Sequence, residues 1–354
     1  MNKITTAFFL LFSSLSFSQT YSGPESAEYD YANSRWLIAN TTSHEVLARS
    51  TNGVLTVFAS GLVSGPYGIE IVGDVLYCCS GASIKGYSLT TGANVFNLNV
   101  GATFLNGMTH DNSGNLYATD YSGKKIYKIV IASTTFSTIA SSLVQSPNGI
   151  VFDQANDRCV FVNWGSNALI KAINLTTSAV TTVLTTTQTN CDGITRDGSG
   201  NYYVSTWGGQ NVVKYDSAFV NPPIAITTGL SSPADIFYNT VNNVLAIPNS
   251  GNNTVTFLDL SLRTNEVSWL NTISVYPNPA SNEAFVKFDL NSPMAVSCQI
   301  VSVDGRIVAT NNFPESNQMN GLLPIDISKL TTGLYYLSFN ANENTKSIPL
   351  LIKH

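Results

Sequence analysis

The sequence predicts an all-β protein, a six-bladed β-propeller followed by a small antiparallel β-sandwich. A Pro-x-Gly motif or a variant of it begins a short apolar strand six times, and its third residue falls at positions 26, 68, 107, 149, 193 and 235. A period of about 40 residues with several short strands per unit is typical of propeller blades. The repeat stops near residue 260, where a different pattern of strands begins.

The composition fits an exported β-protein. Charged residues make up 11% of the 354 residues and the net charge is −5, whereas about 25% charged residues is usual. Uncharged polar residues suit strands and turns and leave little material for surface helices. Without a basic run, binding to nucleic acid or to an anionic membrane surface is not expected. We expect a monomer.

The N-terminal residues 1–18 have the pattern of a secretory signal peptide. Lys3 precedes an apolar run at 7–12, and small residues follow before Gln19. This run is too short to span a bilayer, and no later stretch is long enough to form a transmembrane segment. The sequence therefore predicts a mature protein that is secreted or attached to the cell surface.

The propeller is predicted to cover residues 19–262. Blade four shows its plan most clearly, with apolar strands at 150–152, 159–162, 169–173 and 180–184. Blade six has no evident fourth strand, so either the segment after Gln19 or the one near Val267 could close the ring.

A linker is predicted at 263–272 and a sandwich at 273–354, because short alternating strands with frequent turns return there. This segment resembles the C-terminal sorting domain of the Bacteroidetes type IX secretion system. The resemblance rests on Tyr276-Pro277-Asn278-Pro279, Asp304-Gly305-Arg306-Ile307-Val308, Gly333-Leu334-Tyr335-Tyr336-Leu337 and the basic end at Lys353. It implies passage through the outer membrane by the type IX machinery, after which such a domain is usually removed and the protein is released or anchored to surface polysaccharide. The alternative is an ordinary sandwich that binds sugar or a partner.

Residues at one repeat position of a propeller converge on the central channel. The position before each motif's third residue is occupied by Glu25, Tyr67, Asn106, Asn148, Asp192 and Ala234. Four of these six residues carry carboxylate or amide oxygens, which are the donors that Ca²⁺ accepts. The pattern predicts a site for one divalent cation, with Ca²⁺ as the expected ion.

Residues 20–262 resemble the senescence marker protein/gluconolactonase/luciferin-regenerating enzyme family, which is related to the NHL-repeat propellers. The resemblance implies a channel metal held by Glu25, Asn106, Asn148 and Asp192. It also implies lactone hydrolysis, with Asp192 as both metal ligand and general base. Members that act on sugar lactones often have Arg two residues before the blade-three Asn, where this chain has Phe104. This difference argues against a polyhydroxylated acid as substrate.

Aromatic residues are expected beside the metal. Turns after the second strands place Tyr121, Trp164 and Trp207 on the same face, with Asp120, Asn163 and Thr206 one step inward. With Tyr67 and Phe104, these aromatic residues are the predicted substrate-binding residues for a small-molecule ligand. The alternative is that the aromatic side chains only shield the interfaces between blades.

Other reactive residues are given lesser roles. His110 is expected to pack between blades, and His44 is the only histidine with a route to the site. All five cysteines (Cys78, Cys79, Cys159, Cys191 and Cys298) are expected to be buried apolar residues, although a disulfide framework or a metal cage remains open. A nucleophilic Cys191 is disfavoured because the pattern offers no nearby histidine.

Two functions remain after these observations. The first is a divalent-metal-binding propeller that acts as a lactonase-type hydrolase. The second is a non-enzymatic cell-surface propeller that binds a ligand or partner, in which the channel metal is structural.

Overall fold

The computed structural model describes residues 19–261, 270–291, 293, 295–303, 306–313, 320–341 and 344–354. The chain divides into two compact units between Ser261 and Leu262, and both units are built from strands. The predicted signal peptide, 1–18, and most of the predicted linker lie outside the described residues. The all-β prediction is confirmed.

The first unit consists of six antiparallel sheets that follow one another along the chain. Blades one to three comprise β1–β4 (Pro24–Asp30, Arg35–Asn40, Glu45–Arg49, Leu55–Ala59), β5–β8 (Ile69–Val72, Val75–Ser80, Ser83–Ser88, Asn94–Asn99) and β9–β12 (Leu105–His110, Asn115–Asp120, Lys125–Val130, Thr135–Ala140). Blades four to six comprise β13–β16 (Ser146–Asp153, Arg158–Trp164, Leu169–Asn174, Val180–Thr185), β17–β20 (Cys191–Arg196, Tyr202–Thr206, Asn211–Tyr215, Ile224–Thr228) and β21–β23 (Phe237–Asn239, Val244–Asn249, Thr254–Asp259). Short 3₁₀ turns occur at Ile131–Ser133 and Gln154–Asn156.

The first strand of each blade lies innermost and contacts the first strand of the next blade. Blade six meets blade one in the same way, since the Asp235 amide donates to the Glu25 carbonyl at 2.8 Å. Among the described residues blade six has three strands, and Val267 lies outside them. The segment after Gln19 adds no strand to blade six, because the carbonyls of Ser22 and Gly23 accept hydrogen bonds from a blade-one loop.

Apolar side chains between adjacent sheets form the core of the propeller. Val160 and Val162 of blade four pack with Tyr202 and Val204 of blade five, and all four are essentially inaccessible to solvent. Burial of side chains this large contributes on the order of 1.5–3 kcal/mol each. The inter-sheet core therefore fixes the sheets around the channel.

The recurring glycine is required by the close approach of neighbouring blades. A Cβ on Gly149 would lie 2.6 Å from the Asp192 carbonyl oxygen, and a Cβ on Gly107 would lie 2.5 Å from the Asn148 carbonyl oxygen. Gly149 lies inside β13 rather than in a turn before it. Glycine is therefore required here inside a strand, because the space for a side chain is limited by the next blade.

The second unit contains a three-stranded sheet, β24-β25-β28, and a four-stranded sheet, β27-β26-β29-β30. Their bounds are Leu270–Tyr276, Glu283–Leu290, Val296–Ser302, Ile307–Phe313, Asn320–Asp326, Gly333–Ala341 and Asn344–Ile352 for β24 to β30. Phe288 of the first sheet and Phe339 of the second lie 5.1 Å apart between ring centroids in a shared core. This arrangement is the predicted antiparallel sandwich.

Candidate metal site and aromatic mouth

The four predicted metal ligands lie at the same point of four blades. We call the end of the channel where the innermost strands begin the mouth, and the end where they finish the far end. Glu25, Asn106, Asn148 and Asp192 are 9%, 5%, 1% and 2% exposed at the mouth. Each falls in a register irregularity of its strand, where residues on the inner strand have no direct partner on the second strand. A bulge of this kind redirects a side chain.

Hydroxyl groups on the second strands support two of these bulges. Thr119 Oγ1 accepts the Gly107 amide at 2.9 Å and donates to the Asn148 carbonyl at 2.8 Å. Ser205 Oγ does the same between the Gly193 amide, at 2.7 Å, and the Ala234 carbonyl, at 2.7 Å. Each hydroxyl joins its bulge to the following blade, so the main chains that carry the ligand side chains are fixed relative to one another.

Two of the predicted ligands have an oxygen acceptor without a hydrogen-bond partner among the described residues. They are Asn148 Oδ1 and Asp192 Oδ1, which are fully buried on neighbouring blades. Asn163 Oδ1 and Asn249 Oδ1, near the ends of second strands, also lack a partner. Burial raises the pKa of Asp192 well above its usual value, and the carboxyls of Glu25 and Asp235 raise it further. The side chains of Asn148 and Trp207 oppose this rise, although Trp207 Nε1 lacks a well-aligned hydrogen bond.

The second carboxylate at the mouth is held where blade six meets blade one. Ser250 Oγ lies 2.9 Å from Glu25 Oε2 and 2.7 Å from the Pro24 carbonyl oxygen. Burial raises the pKa of Glu25 to about 7, while the contact with Ser250 lowers it. Because Glu25 also raises the pKa of Asp192, the two carboxyls share one electrostatic environment.

This donor set fits a hard divalent cation. Within the described residues no group of three or more His, Cys, Asp and Glu side chains could hold a metal ion, so a site here depends on amide oxygens as well. Two carboxylates and two amides satisfy that requirement, and Ca²⁺ accepts such a mixture. Unpaired buried acceptors and raised carboxyl pKa values are the features that a cation would relieve.

The predicted substrate-binding residues form one continuous arc at the mouth. The ring centroids of Tyr67 and Phe104 are 4.5 Å apart, and those of Phe104 and Tyr121 are 5.6 Å apart. The arc continues to Trp164 at 6.2 Å and to Trp207 at 5.4 Å, with every pair edge to face. All five side chains are half-buried. Glu25 contributes to a raised pKa of Tyr67, and Asp192 to that of Tyr121, so the arc borders the carboxylates.

The propeller unit matches one known family. Residues 37–220 match the profile described as "SMP-30/Gluconolactonase/LRE-like region". The chain belongs to this family. The matched segment contains Asn106, Asn148 and Asp192, whereas Glu25 precedes it. No curated protein sequence matches the chain.

Solved structures of three other proteins share the propeller fold with this chain. A calcium-binding regucalcin from Agrobacterium tumefaciens is 16% identical with a TM-score of 0.54, covering 66% of this chain and 83% of its own. A gluconolactonase from Xanthomonas campestris is 15% identical with a TM-score of 0.56, and the match covers 64% of this chain and 83% of the gluconolactonase. A virginiamycin B lyase from Staphylococcus aureus is 14% identical with a TM-score of 0.53, covering 76% and 92%. At these identities the likeness shows the fold alone.

The second unit determines where the protein is found. Residues 274–353 match the profile described as "Secretion system C-terminal sorting domain". The chain is therefore exported by type IX secretion, and the predicted location, secreted or at the cell surface, is confirmed. In the part of the chain that the structure describes, no helix is long and apolar enough to cross a membrane.

Sequence reasoning missed Asp235 in the channel. Its carboxylate accepts hydrogen bonds from the Ile194 and Ile236 amides, and burial followed by Glu25 and Glu70 raises its pKa well above the usual value. It occupies the motif position where four other blades have glycine, so aligned repeats could have revealed it. The prediction considered only the preceding residue, Ala234, which is buried and carries no donor.

A second acidic group at the far end was also missed. Glu28 is 7% exposed, and burial, Glu70 and Asp235 all raise its pKa. Glu70 Oε1 lies 2.5 Å from His110 Nδ1, between blades two and three. This pair raises the pKa of His110 and opposes the rise that burial causes in Glu70. His110 therefore lies between blades as expected, but as the partner of a carboxylate.

The remaining reactive residues lie outside the chemistry of the mouth. The exposed His44 has its Nδ1 3.0 Å from the Gly65 carbonyl oxygen, which joins two neighbouring loops. All five cysteines are buried free thiols. Burial raises the pKa of Cys191 to about 12, so its thiolate is scarce at neutral pH.

Proposed function

We propose that the mouth binds one divalent cation, Ca²⁺, through Glu25, Asn106, Asn148 and Asp192, and that this exported propeller hydrolyses lactones there. The observation that carries the proposal is the pair of unpaired buried oxygens, Asn148 Oδ1 and Asp192 Oδ1, beside a second buried carboxylate. The solved structures described as a calcium-binding regucalcin and a gluconolactonase support the same site class.

A bound cation would supply Lewis-acid polarisation of the lactone carbonyl. With the negative charge of the neighbouring carboxyls balanced by the cation, Asp192 would be ionised. It would then accept a proton from water at a carboxylate oxygen. The water oxygen then bonds to the carbonyl carbon, the ring C–O bond breaks, and the proton passes to the departing oxygen. A carboxylate that binds a cation has a lowered pKa and is a weak base, so in the cation-bound site the contribution of Asp192 would rest on its position. Ser250 keeps the Glu25 carboxylate in place.

The cation is tested by thermal unfolding of the full mature chain in Ca²⁺ and in EDTA. We expect EDTA to lower the melting temperature of the wild-type propeller and to leave that of Asp192→Ala unchanged, because the variant lacks a ligand. Equal melting of the wild type in both conditions would exclude the proposed metal site.

Turnover is tested separately by a pH-indicator assay of acid release from aliphatic, aromatic and sugar lactones. We expect release that requires the cation and falls at least about 100-fold in Asp192→Asn, the order of loss seen when a catalytic proton acceptor is removed. If no lactone gives cation-dependent acid, the hydrolase proposal is wrong.

One observation favours the second candidate, a propeller in which the cation is structural. Glu25 lies where the last blade meets the first, held by Ser250 and by the Asp235 amide on its carbonyl. A cation shared by Glu25 and Asp192 would tie this junction to blades three to five. A large melting response to EDTA without lactone hydrolysis would support this candidate.

A further inference from the structure

The mouth also carries information about the kind of substrate, and the argument rests on the function proposed above. The aromatic arc from Tyr67 to Trp207 spans four consecutive blades without interruption. Its edge-to-face pairs, inclined by 68° to 81°, leave ring faces and edges side by side along the wall. Such a wall favours a flat apolar body, which aromatic rings contact over a large area.

Charge at the mouth disfavours anions. Among the described residues, the loops that follow the second and fourth strands of each blade contain a single lysine, Lys124, and no arginine. Lys124 Nζ donates to the Val144 carbonyl oxygen at 3.2 Å. The channel beside it holds the carboxyls of Glu25, Asp192 and Asp235. Apart from Lys124 and the exposed His44, whose Nδ1 lies 3.0 Å from the Gly65 carbonyl oxygen, the described residues of these loops offer no basic side chain to pair with an anionic substrate.

Polar side chains behind the arc are buried and mostly hydrogen-bonded within the fold. The Asp120 carboxylate accepts the Thr103 and Phe104 amides, each at 2.9 Å, and the Gly123 amide at 2.8 Å. Asn163 Nδ2 donates to the Leu169 carbonyl at 2.8 Å, and Thr206 Oγ1 donates to Asn211 Oδ1 at 2.7 Å. All three inward residues predicted from the repeat are fully buried. They support the arc. Asn163 Oδ1 has no hydrogen-bond partner among the described residues, but it is buried and so is not exposed to the hydroxyls of a sugar.

We propose that the mouth selects neutral lactones with a flat aryl or alkyl body and discriminates against polyhydroxylated and carboxylated ones. Phe104 is the specificity-determining residue, because it joins the blade-two and blade-three parts of the arc. Its main chain is held by Asp120, so the ring has a defined place.

Binding of lactams tests this selection without requiring hydrolysis. Calorimetric titration of the full mature chain, in saturating Ca²⁺, would compare 3,4-dihydro-2-quinolinone, a derivative of it with one added carboxylate, and gluconolactam. We expect the neutral aryl lactam to bind at least about tenfold more tightly than the other two, since stacking is gained and repulsion avoided. Equal or tighter binding of gluconolactam or of the carboxylated compound would overturn the proposal, as would no binding of the aryl lactam.

Variants locate the selection. Phe104→Leu should weaken the aryl lactam about three- to tenfold, while Phe136→Leu, at a half-exposed ring on the outer strand β12, should leave binding unchanged. An equal loss in both variants would contradict a role of the arc. Hydrolysis of dihydrocoumarin is measured in parallel: aryl lactam binding without hydrolysis would refute the hydrolase alone, whereas hydrolysis of gluconolactone in preference to dihydrocoumarin would refute the selection alone.

Discussion

The two ends of the channel are both acidic, yet they differ in how the negative charge is balanced. At the far end Glu70 has a basic partner within the fold, His110, at 2.5 Å. At the mouth Glu25 and Asp192 have a serine hydroxyl, an indole and amide groups nearby, but no basic side chain among the described residues. Asn148 Oδ1 and Asp192 Oδ1, both buried and without a hydrogen-bond partner among the described residues, lie at the mouth.

We propose that the acids at the mouth, unlike those at the far end, bind a cation from solution. Buried carboxyls are costly in either place, so a fold retains them where a partner or a proton is available. At the far end, Glu70 has His110 as its partner, and the raised pKa values of Glu28 and Glu70 favour their neutral forms. The mouth presents buried oxygens without hydrogen-bond partners, which favours a cation from solution.

The sharpest test of this difference uses two glutamates three residues apart on β1. Glu25→Gln removes a proposed ligand, whereas Glu28→Gln removes an equally buried carboxyl at the far end. At a Ca²⁺ concentration 100 times its Kd, the wild type should gain about 2.7 kcal/mol in free energy of unfolding. We expect Glu25→Gln to lose most of this gain and Glu28→Gln to keep it, as measured by denaturant unfolding with and without Ca²⁺. Loss of the gain in both variants would mean that the two ends form one site.

The spacing of the mouth can be disturbed on its own. Gly149→Ala places a Cβ against the Asp192 carbonyl, so the blades carrying Asn148 and Asp192 must separate. Overpacking of this kind costs about 1–3 kcal/mol. Gly198→Ala is the matched control, because a Cβ there meets nothing within 4 Å. Denaturant unfolding in EDTA measures both variants, and equal stability would show that the blades adjust without cost.

The repeat made the mouth partly predictable. Glu25, Asn106, Asn148 and Asp192 share one repeat position, and a propeller brings such positions together whatever their separation in sequence. The structure places them at equivalent points, while their role as ligands stays a prediction. The bulges and the hydroxyls of Thr119 and Ser205 that fix them could not be predicted, because they depend on register between strands and on the next blade.

The far end was not predictable by the same reasoning. Glu28 and Glu70 alternate with apolar residues, as solvent-facing strand residues do, so the sequence gives no sign that they are buried. The pairing of Glu70 with His110 requires two residues on different blades to meet at one height. Asp235 could have been found from the repeat, because it stands at the position where four other blades have glycine.

The pH dependence of stability should separate the two ends. Glu25, Glu28, Glu70, Asp192 and Asp235 all have raised pKa values, chiefly through burial. The folded chain therefore binds more protons than the unfolded chain above about pH 4.5, and its free energy of unfolding falls as the pH rises.

In EDTA we expect that fall between pH 5 and 8, and saturating Ca²⁺ should remove the part due to Glu25 and Asp192, because a cation competes with protons there. Glu28→Gln should remove a further part, because burial raises the pKa of this carboxyl well above its usual value. Denaturant unfolding at each pH measures these changes. Stability that rises with pH in EDTA would contradict the burial of these acids.

The smallest expected effect concerns the cation of the far end. His110→Phe introduces the residue that blade four has at the same repeat position, Phe152. Because Glu70 raises the pKa of His110 above 6.5, the stabilisation is present below pH 6.5 and is lost as the pH rises through the raised value. The His110 side chain is 40% exposed, so the loss at pH 6 should be only about 0.5–1 kcal/mol. A double-mutant cycle with Glu70→Gln isolates the pair: a coupling energy at pH 6 that vanishes at pH 9 supports the ion pair, whereas coupling that is the same at both pH values would make His110 a packing residue and leave both ends of the channel without an internal cation.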